Sequence, residues 1–286
     1  MFYTITVWRV RNGPASLTGE ISVEMIKKSR RVPHRVRNEL RFRPVEVLAS
    51  EFIANSFYRI TFAGEALEGF TSAGFDDHIK VFFPDSNTGE FHLPEITEEG
   101  VVWKEGVRPV ARDYTPLFFD PVQRRLTIDF YVHQSGVASG WAASAKPGDR
   151  LAIGGPRGSL VVPEEYDFQL YICDETGLPA FRRRLQALGG RPCQLFAWTD
   201  EATGREYLKS LKNVEVTWLG SGNMSRENVA PLIAQLDKMT LPEEDYFIWL
   251  TGEGAAVKRL SDYFISERGC ESEFVRAVAY WHQKQG

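Results

Sequence analysis

The chain has 286 residues, enough for two modest domains, and its 43% hydrophobic and 25% charged content is typical of a soluble globular protein. The net charge of -4 argues against a nucleic-acid binder that depends on a positive overall potential. Cys173, Cys193 and Cys270 lie far apart in sequence, with no C-x-x-C pair. This spacing fits neither a disulfide framework nor a recognisable zinc or iron–sulfur site, so we expect reduced, packed thiols. The lack of a leader pattern or of a membrane-length apolar run favours the cytoplasm.

The first 32 residues are predicted to be an extension ahead of the folded domains. Thr4–Trp8 alternates like a short strand, and Asn12–Pro14 forms a turn that ends it. Basic residues dominate from Lys27 to Arg43, which favours a solvated arm over a partner-binding tail. Met25 lies just before this run, so a start there would leave the first 24 residues outside the native protein.

Residues 33–163 are predicted to form an antiparallel β-barrel. Short strand-like segments separated by turns rich in Gly, Pro and Asp, with one helix among them, are typical of this architecture. The predicted strands are Phe42–Leu48, Tyr58–Phe62, His78–Phe83, Arg112–Phe119, Leu126–His133 and Arg150–Gly154, and the predicted helix is Ala138–Ala145.

Residues 164–286 are predicted to form an α/β domain with a parallel sheet, because strands and helices alternate there. The predicted strands are Leu170–Cys173, Cys193–Trp198, Val214–Leu219, Tyr246–Thr251 and Val275–Trp281. The predicted helices are Phe181–Leu188, a helix from the N-cap Ser225 to about Met239, and Ala255–Glu267. Pro231 is expected to end or kink the second of these in its first turns.

The segment Arg112–Thr115 has the chemistry of a flavin site. Residues two apart in a strand share a face, so the Arg112 guanidinium and the Tyr114 ring can meet a phosphate and a flat heterocycle of one ligand. Thr115 can offer its hydroxyl to a flavin nitrogen, and we include Asp113 in the predicted site. Taken alone, the segment favours an ordinary barrel strand that binds nothing.

A second segment, Asp129–Ala142, completes the predicted flavin site. It closes a strand, turns through Ser135 and Gly136, and starts a helix whose free N–H groups favour a pyrophosphate. Together the two segments predict a flavin dinucleotide site. A structural role remains open for His133 and Trp141. The predicted cofactor-binding residues of this segment are Asp129, Tyr131, Val132, His133, Val137, Ala138, Ser139 and Trp141.

The two segments resemble those of the siderophore-interacting proteins, flavin-dependent ferric-siderophore reductases related in fold to the ferredoxin reductases. Asp76–Pro84, Gly154–Ser159, Trp249–Gly254 and Tyr280–Trp281 extend the resemblance to about residues 33–282. The resemblance implies an FAD-binding barrel followed by an NAD(P)H-binding α/β domain. It also implies that NADH or NADPH reduces ferric siderophore iron through FAD, and that Fe(II) is released for cellular use.

Leu117 departs from the family, since many members carry a second arginine at this place, two residues after the threonine. The connection from Pro84 to Ala111 has two open interpretations, a cover over the adenosine half of the flavin or a surface excursion.

The nicotinamide site is predicted at a strand–turn–helix junction, because the sequence contains no G-x-G-x-x-G fingerprint. Two junctions follow parallel strands, Asp174–Ala180 and Thr251–Ala256, and ligands bind at the carboxyl ends of such strands. We favour the second and predict cofactor contacts at Thr251, Gly252, Glu253 and Gly254, where glycines permit close backbone approach. Glu175 alone is more typical of an ordinary turn. The choice between NADH and NADPH stays open, and Arg205 or Lys209 could meet a 2′-phosphate.

The predicted substrate site is cationic, because catecholate and carboxylate siderophores carry net negative charge. The resemblance places Lys80, Arg157 and Arg276 around the cleft between the domains, although each alone is ordinarily a surface charge. No His, Asp or Glu set has metal-ligand spacing, so we expect iron to stay on its chelator. Electron transfer requires no protein acid or base, so we predict no catalytic residue.

We expect a monomer without nucleic-acid or membrane partners. Two other functions remain open. The protein could be a general flavin or ferredoxin reductase, or a non-catalytic, flavin-carrying module that binds siderophores.

The first 24 residues are expected to be dispensable for chemistry, since chain ends without tertiary ties tolerate removal. A shortened protein that begins at Met25 should keep its FAD and its ferric reductase turnover. Its melting temperature should stay within a few degrees of that of the full chain. Loss of flavin or of stability would instead mean that Thr4–Trp8 covers a barrel edge.

Overall fold

The strands of the first half form a strongly curved antiparallel sheet. This computed structural model describes residues 31–85, 88–98, 100–103, 110–133, 136–221 and 224–283. The predictions for Thr4–Trp8, Asn12–Pro14 and Met25 lie outside the described residues. The chain from Val32 onward belongs to one compact unit. The strands are β1 (His34–Arg37), β2 (Phe42–Ile53), β3 (Phe57–Ala63), β4 (Ile79–Phe82), β5 (Glu95–Thr97), β6 (Gly100–Val102), β7 (Ala111–Tyr114), β8 (Pro116–Asp120), β9 (Arg125–Tyr131), β10 (Arg150–Gly154) and β11 (Gly158–Val161).

Seven of these strands make the main sheet, in the order β7-β4-β10-β2-β3-β9-β8. Alternate residues of β2, such as Val45 and Val47, are buried, and the residues between them are exposed. This period of two is that of a sheet with one face on a core. Helix α1 (Val137–Ser144) follows β9, β1 pairs with β11, and β5 and β6 form a hairpin. The predicted antiparallel first half is therefore confirmed.

The prediction of one strand over Arg112–Phe119 is wrong. The chain forms β7 and β8, which are consecutive in sequence but lie at opposite edges of the seven-stranded sheet. Thr115, which is buried, is the single residue between them. The sheet curls so that its two edges approach each other at this residue. Only one residue separates the two strands, so the sequence contains no turn-length gap that would reveal the break.

The second half is a five-stranded sheet in the order β14-β13-β12-β15-β16, and all its pairings are parallel. All eight residues of β15 are buried, as expected for a parallel strand with both faces covered. The predicted parallel α/β architecture is therefore confirmed. The strands are β12 (Phe168–Asp174), β13 (Cys193–Trp198), β14 (Val214–Trp218), β15 (Tyr246–Glu253) and β16 (Val275–Trp281), and the helices are α2 (Leu178–Leu188), α3 (Glu201–Leu208), α4 (Val229–Leu236) and α5 (Gly254–Asp262), the last continued by a π-helical turn to Glu267.

Helices α3 and α4 differ from the sequence predictions. Helix α3 was not predicted, because Gly204 in its middle weakens the helical pattern; a side chain there would collide with the Trp218 ring. Helix α4 begins at Val229 rather than next to Ser225, whose hydroxyl accepts a hydrogen bond from the Asn228 N–H (3.3 Å) in the preceding turn. Pro231 lies in the first turn of α4, where a missing N–H breaks no helical hydrogen bond.

A buried guanidinium joins the second half to the segment that leads into it. Arg184 of α2 is 1% exposed, and its NH1 and NH2 groups donate to the carbonyl oxygens of Val162 (2.8 Å) and Pro163 (2.5 Å). Its Nε donates to the Tyr171 hydroxyl (2.7 Å), and NH2 also donates to Gln169 Oε1 (3.0 Å). None of these partners is a carboxylate. The charge is held by neutral acceptors, as a buried charge requires.

Arg184→Ala is expected to lower the free energy of unfolding by about 3 kcal/mol or more, because it leaves the carbonyl oxygens of Val162 and Pro163 and the Tyr171 hydroxyl without a donor. Gln169 Oε1 would keep the hydrogen bond from Tyr171. Urea unfolding followed by tryptophan fluorescence measures the change. Arg191→Ala is the control: its ion pair with Glu165 is long (3.5 Å) and exposed, so we expect a change within about 0.5 kcal/mol. Equal losses in the two variants would contradict the role given to Arg184.

Candidate functional site

A cleft of about 300 Å³ lies between the barrel sheet and the carboxyl ends of the parallel strands. From the first half it is lined by His78, by residues 111–115, and by Asp129, Tyr131 and His133 at the end of β9. From the second half it is lined by Thr176 and Pro179 after β12, and by residues 278–280 of β16. Both halves therefore supply walls, and the first predicted segment forms one of them.

Arg112 and Tyr114 share a face of β7, as the strand period predicts. In the ladder with β4, Arg112 is opposite Val81 and Tyr114 is opposite Ile79. The Arg112 side chain is exposed, and its only hydrogen bond within the described residues goes to the Ala111 carbonyl oxygen (2.8 Å). The Tyr114 ring packs on Phe130 with ring centres 4.4 Å apart, and burial raises the pKa of its hydroxyl. A guanidinium able to take a phosphate thus lies beside a fixed ring.

The Asp113 side chain makes a different contact from its neighbours. Its carboxylate accepts a hydrogen bond from Lys80 Nζ at 2.7 Å, and the two residues are directly opposite each other on β7 and β4. Asp113 and Lys80, which were predicted to contact the cofactor and the substrate respectively, are therefore ion-paired with each other.

Asp129, another predicted cofactor contact, joins the two halves beneath the cleft. Its side chain is fully buried and accepts hydrogen bonds from Arg59 Nε (2.8 Å) and NH2 (2.6 Å) on the neighbouring strand β3. It also accepts one from the Tyr207 hydroxyl (2.5 Å) of α3. Tyr207 is itself buried, and this burial raises its pKa well above its ordinary value. The Asp129 carboxylate is thus engaged by the protein.

The start of α1 offers backbone N–H groups without a side-chain cap. Its N-cap, Gly136, has no side-chain acceptor, and Val137 is exposed. Ser139 is buried; its hydroxyl donates to the Tyr131 carbonyl oxygen (3.3 Å) and accepts from the His133 N–H (3.4 Å), so it holds the turn before the helix. Uncapped N–H groups at a helix start suit a phosphate.

The other predicted residues of this segment contact the protein itself. Trp141 stacks on Phe62 (6.3 Å between ring centres), and Ala138 is buried in the barrel core. The Val132 N–H donates to the Ser56 carbonyl oxygen (2.9 Å). Burial, and then the charges of Glu175 and Asp174, raise the pKa of Tyr131 to about 12.

The turn Thr251–Gly254, predicted to contact the nicotinamide cofactor, is surrounded by protein and is not part of the cleft lining. The Thr251 hydroxyl donates to the Val278 carbonyl oxygen (2.8 Å), and the Glu253 carboxylate caps α5 by accepting from the Ala256 N–H (2.9 Å). Neither glycine of the turn has room for a side chain. Met224 and Asp174 occupy that space at Gly252, and His282 occupies it at Gly254.

The other junction, after β12, faces the cleft through Thr176 and Pro179. Asp174 anchors it: its carboxylate accepts hydrogen bonds from the Thr176 N–H (3.0 Å) and from Trp281 Nε1 (2.7 Å). The sequence favours Thr251–Gly254 over this junction as the nicotinamide site. Pro179 in the first turn of α2 marks a helix start, but no sequence signal reveals which strand end meets the barrel. His78 and Tyr280 also line the cleft and were not predicted as site residues.

A second cavity of about 340 Å³ lies beside the cleft and contains both Lys80 and Arg157. His78 and Asp113 line both spaces. Arg276 does not line this cavity; its Nε donates to Asp76 (2.9 Å), a buried carboxylate. Two of the three predicted substrate cations are therefore brought together, and the third is held elsewhere by an ion pair.

Leu117, at the position where many family members carry a second arginine, lies near the guanidinium of Arg183. Leu117 is buried on β8 and lines a surface depression together with Arg183 of α2. Arg183 donates to the Ser72 hydroxyl (3.0 Å) and carbonyl oxygen (2.8 Å), and burial lowers its pKa.

Within the described ranges, no group of three or more His, Cys, Asp or Glu residues could hold a metal ion. None of the described helices combines the length and the hydropathy needed to cross a bilayer.

Comparisons with known proteins agree with the geometry. Residues 46–160 match the model of the siderophore-interacting FAD-binding domain, and residues 166–284 match that of the siderophore-interacting protein. The chain is 50% identical over 259 residues to the NADPH-dependent ferric-chelate reductase of Escherichia coli K12, covering 89% of this chain and 98% of the relative. It is 26% identical to the ferric vibriobactin reductase ViuB of Vibrio cholerae, covering 84% and 89%.

Solved structures show the same architecture. A siderophore utilization protein from T. fusca superposes with a TM-score of 0.78 at 32% identity, covering 89% of this chain and 97% of that one. The siderophore-interacting protein SipS from Aeromonas hydrophila superposes with a TM-score of 0.66 at 24% identity, covering 85% and 99%. At that identity the second likeness supports the fold alone.

Glu175→Gln is expected to flatten the dependence of stability on pH. Burial, with a further contribution from the Asp174 charge, raises the pKa of Glu175 from 4.5 to about 7. The folded protein thus holds this proton more tightly than the unfolded chain does. The resulting stabilisation is complete below pH 4.5 and is lost as the pH rises to about 7. Glutamine does not titrate, so the variant should lose less stability over this interval.

Urea unfolding at a series of pH values measures this effect. Glu244→Gln, which alters an exposed carboxylate, is the control and should follow the parent protein. Parallel curves for the parent and Glu175→Gln would show that Glu175 does not titrate in this range.

Proposed function

The chain belongs to the siderophore-interacting protein family, and we propose that it reduces the iron of ferric siderophores with NADPH or NADH through bound FAD. One observation carries the proposal: a cleft with the chemistry of a flavin site shares His78 and Asp113 with a second, cation-containing cavity. A cofactor and an anionic substrate held in these spaces would be close neighbours.

The residues of the cleft fit FAD. The exposed Arg112 guanidinium is proposed to bind its pyrophosphate together with the uncapped N–H groups of α1, and the Tyr114 ring to lie against the flavin. FAD supplies the conversion of a two-electron hydride donor into single-electron steps. Asp129, Ser139 and Trp141 are proposed to support the site through contacts with the protein rather than through direct contacts with the cofactor.

The nicotinamide donor is proposed to approach at Thr176 and Pro179, because this junction lines the cleft. The turn Thr251–Gly254 is proposed to have a structural role, because it binds β16 and caps α5. NADPH is favoured, since the Escherichia coli relative is named for it. Arg205 is a candidate for the 2′-phosphate; it is 59% exposed and its Nε contacts Glu201 at 2.7 Å, while Lys209 is exposed.

The second cavity is proposed to bind the ferric chelate through Lys80 and Arg157, with Arg276 contributing from outside the lining. The iron stays on its chelator, and one hydride supplies the electrons for two ferric ions. Siderophores hold Fe(II) far more weakly than Fe(III), so reduction releases the metal.

We also propose a division into an FAD-binding domain at 33–163 and an NAD(P)H-binding domain at 164–286. The two family models, which match residues 46–160 and 166–284, support this division. A monomer acting in the cytoplasm, where nicotinamide donors are abundant, fits the proposal. The three free, buried cysteines are compatible with that compartment.

Lys80→Ala and Arg157→Ala are each expected to raise KM for a ferric catecholate complex about fivefold, because each removes a cation that attracts an anion. KM for a neutral ferric hydroxamate should change little. Added salt should shrink the difference, since exposed charges are screened over about 10 Å at 0.1 M. Arg276→Ala tests whether the cation outside the cavity contributes.

Anaerobic mixing with NADPH, followed by flavin absorbance, tests the donor step separately. Failure to bleach the flavin would favour a non-catalytic binding module. Faster turnover on ferredoxin than on ferric siderophore would favour a general reductase. If KM rises equally for both ferric complexes and the rise does not depend on salt, Lys80 and Arg157 do not belong to the substrate site.

A further inference from the structure

The ion pair between Lys80 and Asp113 lies on the outer face of the barrel sheet. The two residues are opposite each other in the antiparallel ladder of β4 and β7, so their side chains project to the same side. Lys80 Nζ and Asp113 Oδ1 are 2.7 Å apart, and the side chains are 42% and 50% exposed. Exposed pairs of this kind contribute little to stability, so a competing ion can exchange with either partner.

This face forms the wall of the second cavity. Phe42 and Phe82 pack edge to face there, with ring centres 5.4 Å apart, and Gly154 leaves room for both rings. Trp103, which follows β6, lies 6.4 Å from Phe82 between ring centres. The cavity thus combines aromatic walls with cations, which suits an anionic group attached to an apolar ring.

Asp113 is the only carboxylate among the described residues that line this cavity. The Lys80, Arg157 and Asp113 side chains together give the lining a formal charge of one positive unit. Without the carboxylate it would be two. Asp113 therefore halves the charge that an approaching anion meets, and it occupies the cation that the anion needs.

We propose that Asp113 is a specificity-determining residue that stands in for the anionic chelate on Lys80. This inference rests on the proposed function of the second cavity. A chelate with several negative charges compensates Lys80 better than one carboxylate does, and it displaces Asp113. A neutral complex, or a small monoanion, gains little by that exchange and leaves the ion pair closed. The pair thereby selects for highly charged chelates and closes again when the product leaves.

Asp113→Asn in the full-length, FAD-loaded protein tests this inference. Binding is measured with the gallium(III) complexes of a tris-catecholate and of a neutral trihydroxamate, which are not reduced, and KM with the iron complexes. For the anionic complexes, Kd and KM should fall about two- to fivefold, the range expected for release of an exposed ion pair. The neutral complexes should be unaffected, and the anionic ones should show steeper salt dependence.

Two further variants separate the possible causes. Glu46→Gln removes the carboxylate of another exposed cross-strand pair of the same sheet, that of Glu46 with Arg150 (3.5 Å). This variant should leave Kd and KM unchanged for both kinds of complex. In a Lys80→Ala background, Asp113→Asn should increase the affinity for the anionic complex by a smaller factor, because the ion pair is already absent. An undiminished gain there would overturn the stand-in role and leave only general repulsion.

The outcomes distinguish this inference from the function on which it rests. If Lys80→Ala leaves the affinity for the anionic complex unchanged, the proposed substrate cavity fails, and the inference fails with it. If Lys80→Ala weakens that affinity but Asp113→Asn has no effect, the cavity stands and the role of Asp113 is refuted.

Discussion

The position of the cleft depends on the buried guanidinium of Arg184. Its hydrogen bonds to Val162 and Pro163 attach α2 to the segment between β11 and β12. The charge also lies over the rings of Phe75 and Phe247, 5.3 Å and 5.8 Å from their centres, so residues from both halves surround it. Because a buried donor without an acceptor is costly, alternative placements of the linker are disfavoured. Helix α2, which follows the carboxyl end of β12, is thereby held against the segment that leaves the barrel.

Buried carboxylates supply further links between the halves. Asp129 binds Arg59 of its own half and Tyr207 of the other, and Asp76 receives hydrogen bonds from Trp249 and Arg276 of the parallel sheet. Each carboxylate is buried and meets several donors, which favours one arrangement of the two halves. Several charged residues around the site therefore hold its shape, and this distinguishes them from Arg112, Lys80 and Arg157.

The two neighbouring spaces explain how one chain can serve a flat cofactor and a bulky substrate. Residues of β7 alternate between them: Arg112 and Tyr114 face one way, and Asp113 faces Lys80 on the other. A single strand thus places the groups proposed to bind phosphate and to select the substrate on opposite sides. The proposed electron path across this strand is short, because His78 and Asp113 belong to both walls.

By itself the sequence determined the two sheets, most strands, and the shared face of Arg112 and Tyr114, because these follow from local periodicity and from a recognisable family pattern. The tertiary structure alone decided the break at Thr115, the helix around Gly204, and the junction that faces the cleft. It also separated Arg276 from Lys80 and Arg157. The physical reason is that periodicity specifies which way a side chain points, whereas its partner is set by packing. Asp76 and Arg276 are 200 positions apart and meet only because the two halves are joined in one way.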